Sequence, residues 1–195
     1  GPLFVIAGAG TGKTRTLTTR VAYLISLGIV PESILTVTFT NKAAREMKER
    51  IIDMAGPYAS NVWIHTFHAF GVQVLRNDIE TLNLGYKKNF NIADEDDAKT
   101  IVREVIKQLN LDSKHYKSNI LRRKISDMKH FNNDRFDDHN EKMVYQLYQK
   151  ELVENNLLDF DDLQMLTYKL LKDFPLIRKY YQDKFQYVLV DEYQD

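Results

Sequence analysis

The sequence lacks cysteine altogether and contains no long hydrophobic run in its 195 residues. Without cysteine, disulfides, thiolate zinc sites and cysteine nucleophiles are excluded, and any metal must be held by oxygen or imidazole ligands. No segment approaches the roughly 20 apolar residues that span a bilayer, and the N-terminus lacks the pattern of a signal peptide. We therefore expect a cytoplasmic protein without a membrane partner.

An excess of charge of either sign is also absent, since 27 basic residues balance 27 acidic ones. Bulk charge therefore neither requires nor excludes nucleic acid as a partner. Locally the charges are segregated: residues 94–97 are all acidic, whereas residues 114–129 contain Asp127 as their single acid. The basic side chains of that stretch include Lys117, Arg122, Arg123 and Lys124. Such runs are usually solvated helix faces, and we interpret the basic stretch in this way.

Short apolar runs alternate with helical periodicity at the start of the chain. The predicted strands are residues 3–7, 34–39 and 62–64, with Trp63 assigned to the core. The helices predicted after them are residues 16–25, 43–55 and 67–76. Strands that alternate with helices predict a parallel sheet covered by helices on both faces.

The pattern then changes to amphipathic helices, predicted at residues 94–109, 119–130, 138–154 and 159–172, with Gly85 and Pro175 in loops. Residues 187–190 return to a buried-strand pattern. The predicted fold class is therefore α/β, a parallel sheet flanked by helices with an all-helical insertion. We assign residues 1–77 and 185–195 to the sheet domain and residues 78–184 to the insertion.

A glycine-rich segment lies between the first predicted strand and helix. It matches the phosphate-loop pattern G-x-x-x-x-G-K-[ST], with alanine in place of the first glycine: Ala7, Gly8, Ala9, Gly10, Thr11, Gly12, Lys13 and Thr14. In such loops, backbone N–H groups converge on phosphate, the lysine reaches the β and γ phosphates, and the final hydroxyl binds Mg²⁺. An ordinary strand-to-helix turn is the alternative, but the position favours an ATP site with Mg²⁺.

Hydrolysis also requires a carboxylate for the metal and a group that activates water. Asp191 and Glu192 directly follow the predicted strand 187–190, at the edge where open α/β sheets bind ligands. We expect Asp191 to reach the Mg²⁺ shell and Glu192 to act as general base. Acids often end strands for structural reasons, so this signal depends on its pairing with the loop.

Five segments together resemble the UvrD/Rep/PcrA-type superfamily 1 DNA helicases: residues 7–15, 38–44, 66–68, 158–163 and 190–195, in that family's order. The resemblance implies a 3′-to-5′ translocase that couples ATP hydrolysis to movement on single-stranded DNA, at duplex junctions, in replication, repair or recombination. It further implies a motor of two RecA-like P-loop domains. This chain is similar to the first of them with its insertion, and the rest of the helicase chain is the expected partner.

The resemblance also assigns roles by motif position. Lys13 and Thr14 would contact phosphate and metal, Asp191 and Glu192 would serve Mg²⁺ and water, and Gln194 would couple the site to its surroundings. Arg15 would lie near the base or sugar of the nucleotide. The arginine fingers of the family lie in the second motor domain, so we expect these 195 residues alone to hydrolyse ATP feebly or not at all.

Two segments would face single-stranded DNA by the same resemblance: Phe39, Thr40 and Asn41, and Thr66, Phe67 and His68. An aromatic ring at a strand end can stack on a base, and polar groups at a helix N-terminus can bind phosphate. Structural roles also fit these residues, because Phe39 can be core, Thr40 or Asn41 can cap a helix, and His68 can be a hydrogen-bonded structural histidine.

Some features limit the resemblance. Ala69 stands where the family usually has serine, and we interpret Asp161 and Asp162 as a solvated helix start. Three alternatives stay open: a helicase subunit of a helicase–nuclease, a module that binds nucleotide or single-stranded DNA without catalysis, and a small-molecule phosphotransferase. The last fits the phosphate loop but leaves the other four motifs unexplained.

Overall fold

The computed structural model describes residues 2–6, 11–131 and 136–193. Gln194 and four residues of the predicted phosphate loop, Ala7, Gly8, Ala9 and Gly10, lie outside the described residues. The chain divides into two compact units, residues 1–70 with 178–195 and residues 71–177. The predicted division after residues 77 and 184 stays a prediction. Over the described ranges, no helix has the length and apolar character needed to cross a membrane.

The first unit is built on a three-stranded parallel sheet. Its strands are β1 (Ile34–Thr38), β2 (Trp63–Thr66) and, from the end of the chain, β5 (Tyr187–Val190), in the order β2-β1-β5. Thr38 pairs with Thr66, and Val37 pairs with Val190. The predicted parallel sheet is therefore confirmed, and the carboxyl ends of its strands meet at one edge.

Three helices follow strand or loop segments in the first half of the chain: α1 (Lys13–Ser26), α2 (Asn41–Ala55) and α3 (Phe67–Asp78). Helices α1 and α2 pack against one another and on the sheet, where they bury Val21, Leu24, Ile34, Met47, Ile51 and Ile64. Each fully buried aliphatic side chain contributes about 1.5 to 3 kcal/mol, so this apolar layer holds the elements in place.

The second unit is mainly helical, as predicted. Its helices are α4 (Glu95–Gln108), α5 (Ser118–Phe131), α6 (His139–Glu154) and α7 (Phe160–Asp173). The apolar faces of α4, α5 and α6 share one core, and α7 packs against α5. A small parallel pair, β3 (Asn91–Ile92) with β4 (Leu157–Leu158), adds to the predicted helices. Strands of two residues are too short to produce a readable alternation in the sequence.

Three sequence-based expectations about single elements are wrong. Residues 3–6 form no strand, and Leu3 and Ile6 are 85% and 86% exposed. An apolar run indicates that a segment tends to be buried, but a strand also requires hydrogen bonds to the backbone of a neighbouring strand. Pro175 opens helix α8 (Pro175–Lys184) instead of lying in a loop, because the first helical position tolerates its missing N–H. Trp63 is half-buried on the outermost strand β2, with Lys184 Nζ 3.8 Å from the centre of its ring.

The interpretation of charged residues as solvated is wrong for part of the second unit, although Arg123 of the basic stretch is exposed as expected. Asp161 and Asp162, at the start of α7, are buried, as are Arg122 and Lys129 on α5. Arg122 donates to Asp161 at 2.8 Å, and Lys129 donates to Asp162 at 2.8 Å. The buried bases of α5 therefore pair with the buried acids of α7. Burial of these charges without such pairing would cost several kcal/mol per ion.

Candidate functional site

The N-terminus of α1 is the first part of the site. Gly12 caps the helix in the left-handed region, with φ at 90°, and its carbonyl accepts hydrogen bonds from the N–H and the hydroxyl of Thr16. A Cβ at Gly12 would meet nothing closer than 3.9 Å, so glycine is required by backbone conformation and not by space. Lys13 and Thr14 therefore begin a helix whose positive dipole end suits an anion.

The end of β5 supplies the second part. The N–H of Asp191 donates to the carbonyl of Val37 at 2.8 Å, which continues the β1–β5 ladder by one bond and fixes the buried Asp191 at the sheet edge. The Thr14 hydroxyl lies 3.3 Å from Oδ2 of Asp191. Residues from opposite ends of the sequence thus meet, as the two sequence motifs predict.

Lys13 and Glu192 form the second contact between these elements. Nζ of Lys13 lies 3.5 Å from Oε2 of Glu192, and the side chains are 32% and 34% exposed. Glu192 adopts a left-handed conformation with φ at 52°, while its N–H donates to Oδ1 of Asp191 at 3.1 Å. A long, partly exposed ion pair contributes about 0 to 1 kcal/mol, so neither partner is held tightly.

The donor set here fits a magnesium ion. The Thr14 hydroxyl and the Asp191 carboxylate are hard oxygen ligands, which Mg²⁺ prefers, and their 3.3 Å separation shows that both face one place. Mg²⁺ usually takes only one or two protein ligands and completes its shell with water and substrate phosphate. These two residues are therefore sufficient protein ligands for a nucleotide-bound Mg²⁺.

A cavity of about 300 Å³ lies beside Arg15, the residue that the resemblance places near the nucleotide base or sugar. Its other lining residues are Thr18 on α1 and Arg50, Asp53 and Met54 on α2. Sequence reasoning did not include the three α2 residues, because only the packing of α2 against α1 brings them to Arg15. No signal in the sequence indicates them.

The predicted DNA segments follow the carboxyl ends of β1 and β2, at the same sheet edge as Asp191. Because Thr38 and Thr66 pair in register, Phe39 and Phe67 each come one residue beyond a paired end. Their side chains are 59% and 43% exposed, so neither is a core residue. Asn41 is exposed and His68 is half-buried.

The two threonines of these segments have structural partners. Thr40 caps α2 by accepting from the N–H of Ala43 at 3.1 Å, and the buried Thr66 accepts from the N–H of Ala69 at 3.1 Å. Helix capping was the structural role that the sequence offered for Thr40, and this hydrogen bond accounts for its side chain. The two exposed rings and Asn41 lie at this edge without a cap of this kind to explain them.

One histidine near this edge was not predicted as a site residue. His65 lies on β2, and its ring centre is 5.4 Å from that of Trp63. Burial and then the charge of Lys48 hold the pKa of His65 below its usual value. Its imidazole is therefore neutral near pH 7 and adds no positive charge for a DNA phosphate.

The fold and these contacts define a class: an α/β P-loop nucleotide-binding domain of the RecA-like type. Within that class, the chain belongs to the UvrD/REP helicase N-terminal domain family, which it matches over residues 1–195. The resemblance drawn from the five motifs is thereby confirmed.

Several curated relatives are similar over the whole chain. It is 43% identical to the ATP-dependent DNA helicase PcrA of Staphylococcus aureus (strain Mu50 / ATCC 700699) and 44% identical to that of Bacillus subtilis (strain 168). Each comparison covers 100% of this chain and 28% of the relative. The chain thus spans little more than a quarter of the length of these relatives.

Proposed function

We propose that the protein containing this chain is an ATP-dependent DNA helicase that moves 3′ to 5′ along single-stranded DNA toward duplex junctions. Replication, repair or recombination in the cytoplasm is the expected setting. Family membership and the helicase relatives support this proposal. The observation that carries it is the meeting of Thr14 with Asp191 and of Lys13 with Glu192 at one sheet edge.

The site suggests a role for each of these residues in ATP hydrolysis. Lys13 would bind the β and γ phosphates, at the positive end of α1. Thr14 and Asp191 would hold Mg²⁺, which when bound neutralises developing charge on the phosphates. Phosphate would replace Glu192 beside Lys13, and the released Glu192 would then orient the attacking water and accept its proton. Gln194 would link the site to the rest of the motor.

Nucleotide binding can be tested by titrating these 195 residues with a fluorescent ATP analogue in Mg²⁺. We expect Lys13→Ala to weaken binding by at least about tenfold, because a hydrogen bond to a charged group contributes roughly 1.5 to 3 kcal/mol. Lys42→Ala is the matched control, since Lys42 is an exposed lysine on α2. Equal affinity of both variants would contradict the assignment of Lys13.

Hydrolysis by these residues alone should be slow. The family resemblance places the arginine fingers in a second RecA-like domain, and such a group contributes about 10³ to 10⁵ in rate. Phosphate release measured with and without single-stranded DNA checks this. DNA-stimulated turnover at a rate normal for helicases, abolished by Lys13→Ala, would show that the catalytic parts are complete here.

The DNA edge can be tested by fluorescence anisotropy with a labelled single-stranded oligonucleotide. Base stacking on an aromatic ring contributes about 1 to 3 kcal/mol, so Phe39→Ala and Phe67→Ala should each weaken binding about fivefold or more. Tyr58→Ala, at another exposed aromatic ring, should not. Affinity must also fall with salt, because phosphate contacts release counterions. If binding does not depend on salt and neither phenylalanine substitution weakens it, this surface does not bind DNA.

A further inference from the structure

A second group of charged residues is buried inside the helical unit. Lys129 on α5 has a side chain with 0% exposure, and its ammonium donates to Asp159 at 2.7 Å and to Asp162 at 2.8 Å. Asp159 and Asp162 are themselves buried, and they cap the N-terminus of α7 through reciprocal bonds to each other's N–H groups. We call these three residues the buried cluster.

The charges of the buried cluster do not balance when both carboxyl groups are ionised. One ammonium then faces two carboxylates in a place that water does not reach. Asp159 has further donors, since the Tyr148 hydroxyl lies 2.7 Å away and the N–H of Asp162 lies 2.8 Å away. Among the residues that the structure describes, Asp162 accepts from Lys129 at 2.8 Å and, through a long 3.4 Å bond, from the N–H of Asp159. Of the two, Asp162 is the carboxyl group less stabilised as an anion.

The neighbouring charges do not correct this imbalance. Arg122, with 3.9 Å between its guanidinium and Asp159, is bonded to Asp161 at 2.8 Å. His130 also contacts Asp161, at 2.9 Å, and Glu95 adds a further negative charge 3.3 Å from Arg122. Over the described parts of the chain, the other titratable groups that act on the cluster are the hydroxyls of Tyr86, Tyr145 and Tyr148, which are neutral when protonated.

We propose that Asp162 binds a proton in mildly acidic solution and that its ionisation near neutral pH weakens the attachment of α5 to α7. With the proton bound, the cluster holds one ammonium and one carboxylate. Without it, an unbalanced negative charge is buried. The second unit is thus a proton-responsive element.

The direction of the pKa values agrees with the geometry. Burial raises the pKa of Asp162 to about 6, although Lys129 opposes the change. Burial would also raise the pKa of Asp159, but Lys129, the N–H of Asp162 and Tyr148 outweigh it and hold that pKa below its usual value. A carboxyl group with a raised pKa stabilises the fold at low pH and loses that contribution as the pH rises through about 6.

Urea unfolding read from the backbone NMR signals of α5 and α7 tests the proposal. The unfolding constants of wild type and Asp162→Asn are compared at pH 5 and pH 8. Asparagine mimics the neutral carboxyl group at both pH values. The unfolding constant of wild type divided by that of the variant should therefore be about tenfold larger at pH 8 than at pH 5. The exposed Asp183→Asn serves as the control and should show no such change. A ratio for Asp162→Asn that is independent of pH would overturn the proposal.

A direct titration keeps the test valid if Asp162→Asn fails to fold. The side-chain carboxyl carbon of Asp162 in the wild-type chain is followed by ¹³C NMR from pH 4 to pH 8. We expect its midpoint clearly above the usual value for an aspartate, which is about 3.9. A midpoint at that usual value, or below it, would show that the carboxyl group is ionised over most of this range and the proposal wrong.

Discussion

The edge of the three-stranded sheet and the interior of the helical unit use the same chemical groups in opposite ways. Lys13 and Glu192 lie 3.5 Å apart and are about one-third exposed, whereas Lys129 lies 2.7 Å from the fully buried Asp159. At the sheet edge the Thr14 hydroxyl lies 3.3 Å from the Asp191 carboxylate. In the helical unit the Tyr148 hydroxyl lies 2.7 Å from the Asp159 carboxylate. Loose, accessible pairs can exchange a partner for a ligand, while tight, buried pairs fix the position of helices.

The largest effect expected from this comparison is the loss of the buried lysine. Lys129→Ala leaves two buried carboxyl groups without their cation, and we expect the free energy of unfolding of the helical unit to fall by about 3 to 5 kcal/mol. Urea unfolding followed by NMR signals of α5 and α7 measures it. The exposed Lys179→Ala should change stability by less than about 0.5 kcal/mol. A similar loss in both variants would end the distinction between the two regions.

A smaller effect should follow from loss of the buried hydroxyl. Tyr148→Phe keeps the ring in the core but removes the donor to Asp159, and we expect a loss of roughly 1 to 3 kcal/mol. The same unfolding experiment measures it, with Tyr23→Phe on the exposed face of α1 as the control. If Tyr148→Phe is as stable as wild type, the hydroxyl does not help to stabilise the charge of Asp159.

At the sheet edge, the corresponding hydroxyl should affect stability less. Thr14→Val removes the partly buried contact to Asp191, and we expect a change below about 1 kcal/mol in thermal unfolding. The same variant should lose affinity for the ATP analogue in Mg²⁺ more than in EDTA, because Thr14 is a proposed metal ligand. Equal losses in the two solutions would indicate a structural role alone.

The smallest stability effect is expected for Lys13→Ala. A partly exposed ion pair contributes little, so the free energy of unfolding without nucleotide should fall by no more than about 0.5 kcal/mol. Thermal unfolding measures this difference. That small difference should vanish in 1 M salt, which screens exposed charges. A loss that is large and insensitive to salt would place Lys13 in the same category as Lys129.

Much of the fold could be predicted because its signals are local. The pattern of residues 187–190 gives β5 with its observed bounds, and four predicted helices in the second unit agree with the structure within about one residue at each end. Asp94 and Asp159 mark helix starts because their side chains accept from first-turn N–H groups. Strand signals at residues 3–6 failed because pairing depends on a distant neighbour.

The candidate site was predictable to a different extent. Two motifs indicate the meeting of Thr14 with Asp191, since strand ends and helix starts gather at one edge of a parallel sheet. The functional roles of these residues stay predictions. The α2 side of the cavity near Arg15 and the pairing of Lys129 with Asp162 could not be found, because charge and periodicity do not indicate which helix packs against which.

The pairing of β1 with β5 has a consequence for synthesis on the ribosome. Ile34 pairs with Tyr187, so one side of β1 has no partner until a strand about 150 residues later is made, which takes roughly 8 to 30 s at ordinary elongation rates. During that interval an apolar strand edge is open to other chains. The helical unit emerges in the meantime and forms its own core. The interval before β5 is made is therefore the time when this edge of β1 most needs protection by chaperones.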